Sequence, residues 1–408
     1  MRRKGVAFRR AFRLIFPIFP ALVVLAQRFG EEPGSQEPAF LGPGARPARA
    51  FARKDGLHAK QEPAMESEPA KTLPDFLDLE GEGLWKAVTV FNAACWGSSY
   101  ISSKAGIDAL AANGVEDAPI VFGALRFSLA ALPLLPWLLR SSATESARTS
   151  AVVGSLNGLS YAAIFTSYAY GTTGGKAAFI TSLQTIVVAA CSCIAARRLQ
   201  LSTAVSAIMA VVGVGFLELA GGSMETTLGD FICLAAPLAI GLGWYILGGT
   251  MKKYPEDTLP SVSIQFTCFT VLFVTWTLGD VAWRHGPSGL SDWLSQAPAL
   301  LQTPGLWPPL LFSTFMGNVF TMLLANRAVQ FIKVSEVSLI VASEPLWAAL
   351  AAMLYLGEVF TLGDVIGGGF ILTALVLNEL WEENSAEEAT LPAGEKEKQK
   401  EKEPELVN

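Results

Sequence analysis

The stretch Ser343-Glu344-Pro345-Leu346-Trp347 sits inside an apolar run, and Leu356-Gly357-Glu358 closes that run before a second one begins. A span of roughly 20 apolar residues crosses the hydrocarbon of a bilayer. Residues 337–356 and 362–381 each have that length, with Gly357-Glu358-Val359-Phe360-Thr361 between them. The stretch reads as two transmembrane helices joined at a tight corner, with one carboxylate, Glu344, held in the hydrophobic hairpin. A proline inside a helix deletes a backbone hydrogen bond to the carbonyl four residues earlier. Pro345 therefore frees the carbonyl of Val341 at membrane depth beside Glu344. Freed backbone groups in a bilayer need partners, so a broken helix that lines a site is expected here.

Working outward, Lys176–Leu219 can be laid opposite Glu336–Glu379 without a gap. The earlier segment has the same design: an apolar run, a charged corner at Arg197-Arg198, a Ser/Thr start and a second apolar run. Few letters coincide, and the likeness is one of hydropathy. Weak internal hydropathy symmetry is the signature of membrane proteins built from repeats, so a duplicated half is expected.

The composition agrees with this class. Of 408 residues, 51% are hydrophobic and 16% charged, with mean hydropathy +0.40. That balance lies outside globular usage and points to a polytopic membrane protein whose partner is the lipid bilayer. The net charge of −6 resides largely in the polar ends, and no basic footprint for nucleic acid is present. Cys95, Cys191, Cys193, Cys233 and Cys268 all fall in apolar runs, where thiols act as small hydrophobes, so neither a disulfide framework nor a metal cluster is expected. The two histidines, His58 and His285, lie outside the predicted helices, which excludes histidine general-base chemistry in the membrane body. Gly171-Thr172-Thr173-Gly174-Gly175-Lys176 has the wrong spacing for a phosphate loop and follows no strand; it reads as a hairpin between two spans, and no cofactor is expected.

Residues 1–30 read as a targeting segment, with Arg2, Arg3, Lys4, Arg9, Arg10 and Arg13 ahead of the apolar stretch Leu14–Ala26. Cleavage and retention as a signal anchor both stay open. Residues 31–80, rich in Pro, Gly, Glu and Ala, read as a disordered leader or linker. Their basic stretch around Ala50-Phe51 resembles the bipartite plastid leaders of algae with complex plastids, although hydroxyl residues are scarce. A plastid envelope or endomembrane is the expected location, with the plasma membrane as the alternative. About ten apolar spans follow: 84–103, 119–139, 151–170, 175–195, 202–220, 229–249, 260–282, 305–329, 336–356 and 362–381. The connection 284–304 is the one long loop expected between them. Arg140, Arg148, Arg197, Arg198, Lys252, Lys253, Arg327 and Lys333 fall on one side, and Lys104, Lys176 and Arg284 on the other. The positive-inside rule then puts both termini on the cytosolic or stromal side. Residues 382–408 alternate Glu and Lys and read as a solvated, disordered tail.

Several motifs carry a resemblance. Ala94-Cys95-Trp96-Gly97-Ser98-Ser99-Tyr100 with Lys104 resembles the opening Trp-Gly helix of the EamA-like family in the drug/metabolite transporter superfamily. Gly123-Ala124-Leu125-Arg126-Phe127 resembles its second-helix arginine, and Gly229-Asp230 with Trp244-Tyr245 the start of its second half. Glu344-Pro345 with Leu356-Gly357-Glu358 resembles its ninth helix. The resemblance implies an all-α fold of ten helices in two inverted five-helix repeats, 84–220 and 229–381, around a cavity for a small-molecule substrate. It departs at Gln184-Thr185, where the family often has proline, and at Arg197-Arg198, so the two halves are expected to be functionally unequal.

The residues themselves nominate the cavity. Asn92, Trp96, Ser99 and Ser103 recur at helical spacing on one stripe, and a polar stripe in lipid faces protein or water. Cavity lining and plain interhelical hydrogen bonding are the two readings, and they apply equally to Asn157, Tyr161, Tyr168 and Asn318. Trp244 reads either as cavity wall or as part of an interfacial belt. Gln184, Pro345 and Trp347 complete the candidate set. Gly154/Gly158 and Gly363/Gly367 are small pairs for close helix packing. Arg126 and Glu344 are the two ionisable residues nearest the middle of their spans, and each is costly enough to require a partner. Glu344 is the candidate proton carrier, with a fixed ion pair or a hydrogen-bonded acid as the alternative. Function classes left open are a secondary transporter, a non-transporting scaffold or receptor, and an intramembrane enzyme; no catalytic residues are nominated, and a homodimer stays open.

Overall fold

The computed structural model describes residues 81–196, 204–212 and 227–356, with individual residues between 366 and 377. The expected targeting segment, leader, charged tail, Arg197-Arg198 corner, Gly357-Glu358 corner and Gly363 lie outside the described residues. The described chain is helical and contains no strand. Six stretches in it are long and apolar enough to cross a membrane: Ala118–Trp137, Gly174–Ala195, Leu228–Lys253, Pro255–Gly286, Trp307–Phe331 and Val334–Tyr355. Two more helices have the length. These are α1 (Glu82–Ala112) and α3 (Thr144–Ala169), in which buried polar residues such as Asn92, Ser99, Ser103, Ser150 and Ser160 lower the hydropathy.

Between them runs α2 (Ala118–Ala131), which continues as a 3-10 turn over Leu132–Trp137, where Pro133 and Pro136 cannot supply α-helical donors. The next span is split into α4 (Gly174–Ser182) and α5 (Gln184–Ala196). The span from Leu228 is likewise split, into α6 (Leu228–Cys233) and α7 (Ala235–Lys253). Pro237 explains that break, because its ring opposes the carbonyl of Cys233 four residues back. After it come α8 (Thr258–Leu300), α9 (Trp307–Leu311), a π-helical segment (Phe312–Phe320) and α10 (Thr321–Phe331), then α11 (Val334–Val341) and α12 (Glu344–Leu356).

One sequence expectation is corrected. The connection 284–304 is helical as far as Leu300, turning at Gly286, whose φ of 73° suits glycine. Pro287 can open the new helical segment, where its missing N–H costs nothing. Trp293 and Leu300 then pack the segment onto the core, a packing that the polar composition of the stretch obscured.

Helix α3 packs along α7 and α8, α2 along α8, and α1 along α12. Gly154 and Gly158 are packing residues: a methyl on Gly154 would stand 2.8 Å from the Cα of Gln265. Phe127 lies at the centre of the aromatic core, within 5.1–6.1 Å of the rings of Tyr161, Phe165, Phe269 and Phe273. Such ring pairs add about 0.5–1.5 kcal/mol each beyond the area they bury. At one end of the bundle Lys253 and Tyr254 donate to Glu145, Ser141 and Ser142 to Asp257, and Gln330 to Thr258. At the other end Asp230 accepts from Thr172 and pairs with Lys176, while Arg284 pairs with Glu116, Asp117 and Asp280.

Candidate functional site

The helix breaks build the site. Pro345 cannot donate to Val341, so α11 ends there; the chain turns through Ala342-Ser343 and restarts with Glu344 as the first residue of α12. A carboxylate at a helix N-terminus faces unpaired N–H groups and the positive end of the helix dipole. The first half contains a break of the same kind without a proline. It falls at Leu183, and Gln184 opens α5. In the gapless register of the two segments Leu183 stands opposite Ser343 and Gln184 opposite Glu344. An amide therefore occupies the first-half position of the second-half acid.

Between these breaks is a central cavity of about 60 Å³. Of the sequence-nominated residues, Trp96, Ser99, Arg126, Asn157, Tyr161, Tyr168, Gln184, Trp244 and Glu344 line it. Four others lie just outside. Asn92 donates to the carbonyl of Thr321 at 3.2 Å and fastens α1 to α10. Asn318 accepts from the Tyr161 hydroxyl at 3.0 Å and so orients a lining residue from behind. It sits in the π-helical segment, a form that recurs where a helix is re-aimed at a functional site. Pro345 makes the break, and Trp347 donates to Ser343 at 3.2 Å across it.

Arg126 is 2% exposed. It donates to the hydroxyls of Ser103 at 2.7 Å and Ser99 at 3.1 Å, on the polar stripe of α1. Its guanidinium lies 5.6 Å from the ring centres of Phe127 and Tyr161 and 5.8 Å from that of Phe165, at cation–π range. Glu344 is 3% exposed, and the Tyr100 hydroxyl, itself 2.8 Å from Thr181, faces it. Arg126 and Glu344 share the cavity and form no ion pair with each other. Six buried polar atoms on its wall have no hydrogen-bond partner among the described residues: Arg126 Nε, Trp96 Nε1, Tyr168 Oη, Asn157 Oδ1, Gln184 Oε1 and Glu344 Oε2. Trp96 and Trp244 close part of the wall edge to face, with ring centres 5.8 Å apart.

Close backbone approach holds α1 in place. A methyl on Gly97 would lie 2.4 Å from the carbonyl oxygen of Glu344, and one on Gly317 would lie 2.3 Å from the Ser99 hydroxyl. Only glycine lets α1 reach both the α12 start and the π-helical segment.

Ser103, on the polar stripe read from the sequence, also lines the cavity, while the sequence reading missed Tyr100, Phe165, Gly317 and Met322 as cavity wall. Ser103 was on the quoted stripe and Tyr100 lies one turn after Trp96, so spacing alone placed both within reach. A second, larger hollow of about 530 Å³ lies by the α1–α2 corner and the segment after Gly286. Its carboxylates Glu116 and Asp280 face Arg284, so its charges are met within the protein. Among the described residues no group of His, Cys, Asp and Glu is arranged to hold a metal ion.

Comparison with known proteins agrees with this architecture. A solved structure titled only "Crystal structure of protein" superposes with a TM-score of 0.55 at 12% identity, covering 74% of this chain and 98% of that chain. That likeness is one of fold. No curated protein matches the chain. The profile of the EamA-like transporter family matches residues 227–380, which contain the split span α6/α7, the π-helical segment and the Glu344 break. Over that stretch the chain is similar to the EamA-like transporter family, which is consistent with the drug/metabolite transporter superfamily.

Proposed function

We propose that the chain is a secondary transporter that moves a small metabolite by alternating access about the central cavity, without nucleotide hydrolysis. The observation that carries this reading is the wall itself. A buried cation from the first half and a buried carboxylate from the second face one cavity beside interrupted helices. An isolated charge at the bilayer centre costs on the order of 3 kcal/mol on insertion scales, and such residues mark substrate and ion paths. The cavity volume of about 60 Å³ holds roughly four waters, so in this reading a larger solute is admitted when the halves move apart on one side.

In this reading residues 84–220 and 229–381 act as inverted five-helix repeats, and both termini face the cytosol or stroma in a plastid, endomembrane or plasma membrane. Glu344 takes up a proton when the cavity is open to one side and releases it to the other, which couples transport to a proton gradient. The titratable and charged groups facing it across the cavity are Tyr100, Tyr161, Tyr168 and Arg126. A scaffold or receptor gives no reason to keep a buried guanidinium and a buried carboxyl group without each other as partners on one wall. An intramembrane enzyme needs a paired-acid or Ser/His constellation, and among the described residues neither histidine nor aspartate lines this cavity.

Reconstituted protein tests the proposal. Uptake and efflux of amino acids, nucleosides, organic acids and sugar phosphates are measured in proteoliposomes against empty liposomes, with and without an imposed pH gradient. Saturable movement of at least one class, driven uphill by the pH gradient, is expected. Flux equal to that of empty liposomes for every class would remove the transport reading.

A further inference from the structure

We infer that two ion pairs, Lys86–Glu336 and Lys176–Asp230, are the latches that close the central cavity toward its two ends, each holding one broken helix shut. This inference rests on the alternating-access reading of the site and adds the contacts that part for each opening. Both pairs span 3.7 Å from nitrogen to carboxylate oxygen. Each joins the first helix of one half to the broken helix of the other. Lys86 of α1 meets Glu336 in the first turn of α11, and Lys176 in the first turn of α4 meets Asp230 in the first turn of α6. In the gapless register of the two segments Lys176 stands opposite Glu336. One position therefore supplies the base in one half and the acid in the other, so the contact recurs with its polarity exchanged.

Neighbouring contacts put the pairs at opposite ends of the bundle. Asp230 lies at the start of the span Leu228–Lys253, and Lys253 ends it. Just beyond Lys253, the carbonyl of Pro255 and the hydroxyl of Thr258 accept from Gln330, near the end of α10. Helix α11 begins at Val334, directly after α10 ends at Phe331, so Glu336 belongs to the Lys253 end. There Trp85 stacks on Phe331 beside Lys86, with ring centres 5.3 Å apart. At the other end Asp230 also accepts from the Thr172 hydroxyl at 2.8 Å and from the Thr227 N–H at 2.9 Å.

Each latch residue stands about two helical turns ahead of the wall residue that its helix delivers, Glu336 ahead of Glu344 and Lys176 ahead of Gln184. A solute leaving toward the Lys253 end needs α11 to swing away from α1. One leaving toward the Asp230 end needs α4 to swing away from α6. When the halves rock as rigid bodies, one pair parts while the other holds, and the structure has both closed. At 3.7 Å neither pair is a hydrogen bond, so parting gives up a Coulombic attraction and no directed bond. Glu336 is buried and the other three residues are half-buried, which limits screening by salt.

Ser99→Cys on the cavity wall reports the opening, in uniformly oriented proteoliposomes of the full chain stripped of its native cysteines. Its modification rate by an impermeant thiol reagent is read from each face without a gradient. Lys86→Met is expected to raise the ratio of labelling at the Lys253 end to labelling at the Asp230 end by about tenfold, the size of a typical coupling between sites, and Lys176→Met to lower it by as much. Glu336→Gln and Asp230→Asn part the same pairs from the other side and must move the ratio in the same directions as their partners. Lys86→Met with Glu336→Gln should move it no further than either alone, because one contact is lost once. Lys86→Met with Lys176→Met should return the ratio to within about twofold of the parent, because opposed and independent shifts cancel. Loss of folding does not produce that cancellation. A ratio unmoved by the single changes, or moved the same way from both ends, would overturn the inference and assign the pairs to static packing. Solute exchange with an unmoved ratio sinks the latches and sustains transport. Opposed shifts without flux of any solute class sink transport and sustain the latches.

Discussion

Glu344→Gln is expected to fold, to exchange solute across the membrane at saturating concentration, and to lose accumulation driven by a pH gradient. The amide preserves the shape of the side chain at the start of α12 and still accepts a hydrogen bond, but it cannot ionise. A pH difference of one unit stores about 1.4 kcal/mol per proton, enough for a tenfold concentration ratio with one proton per solute. The wild-type chain should approach that ratio in proteoliposomes, while the variant should stop at equal concentrations on the two sides. The neighbours sharpen the expectation. Glu344 faces Tyr100 and shares its cavity with Tyr161, Tyr168 and Arg126, and among the described residues no other carboxylate borders that space to take over the proton. Full gradient-driven accumulation by the Gln variant would make Glu344 a packing or binding residue and detach the proton from the mechanism.

Arg126→Met is expected to leave stability unchanged or improved while abolishing transport. The guanidinium is buried without a carboxylate partner among the described residues, held by two serine hydroxyls and three ring faces. Replacing buried ionic groups by apolar ones of similar volume is often neutral or stabilising by about 1–4 kcal/mol. A gain in melting temperature alongside loss of flux is the pattern of a residue kept for function at a cost in stability. Arg126→Lys separates charge from geometry. An ammonium keeps the charge but cannot reach both Ser99 and Ser103 as a planar fork, so its half-saturation should rise by roughly tenfold, or about 1.4 kcal/mol. A Met variant that melts far below wild type would instead assign Arg126 to holding α1 against α2.

Much of the site was legible because polar residues in an apolar helix carry contrast. Trp96, Ser99 and Ser103 share a stripe, Arg126 and Glu344 stand out as mid-span charges, and the Pro345 break follows from the chemistry of proline. The break at Leu183 was visible only as a register match to Ser343, since nothing in Gln184-Thr185 forces a helix to stop. Ile240, Leu247 and Met322 were not legible as cavity wall. An apolar side chain on a membrane helix looks the same whether it meets lipid, another helix or a cavity, because lipid is as apolar as the protein interior. Asn92 and Asn318 carried the right contrast and stand one step behind the wall, where they fasten α10 and orient Tyr161. The helix past Gly286 escaped for the opposite reason: it is polar and short, and its amphipathic pattern was read as a loop.

The account rests on one cavity that opens to each side in turn. Ser99 borders it, 4% exposed, and its hydroxyl meets Arg126. Ser99→Cys, in a background with Cys95, Cys191, Cys193, Cys233 and Cys268 replaced, can be titrated with a membrane-impermeant thiol reagent from either face of a proteoliposome. The account predicts modification from both faces, with the favoured face switching when the pH gradient is reversed and labelling slowed when solute is bound. Labelling from a single face under every gradient, or from neither, would contradict it.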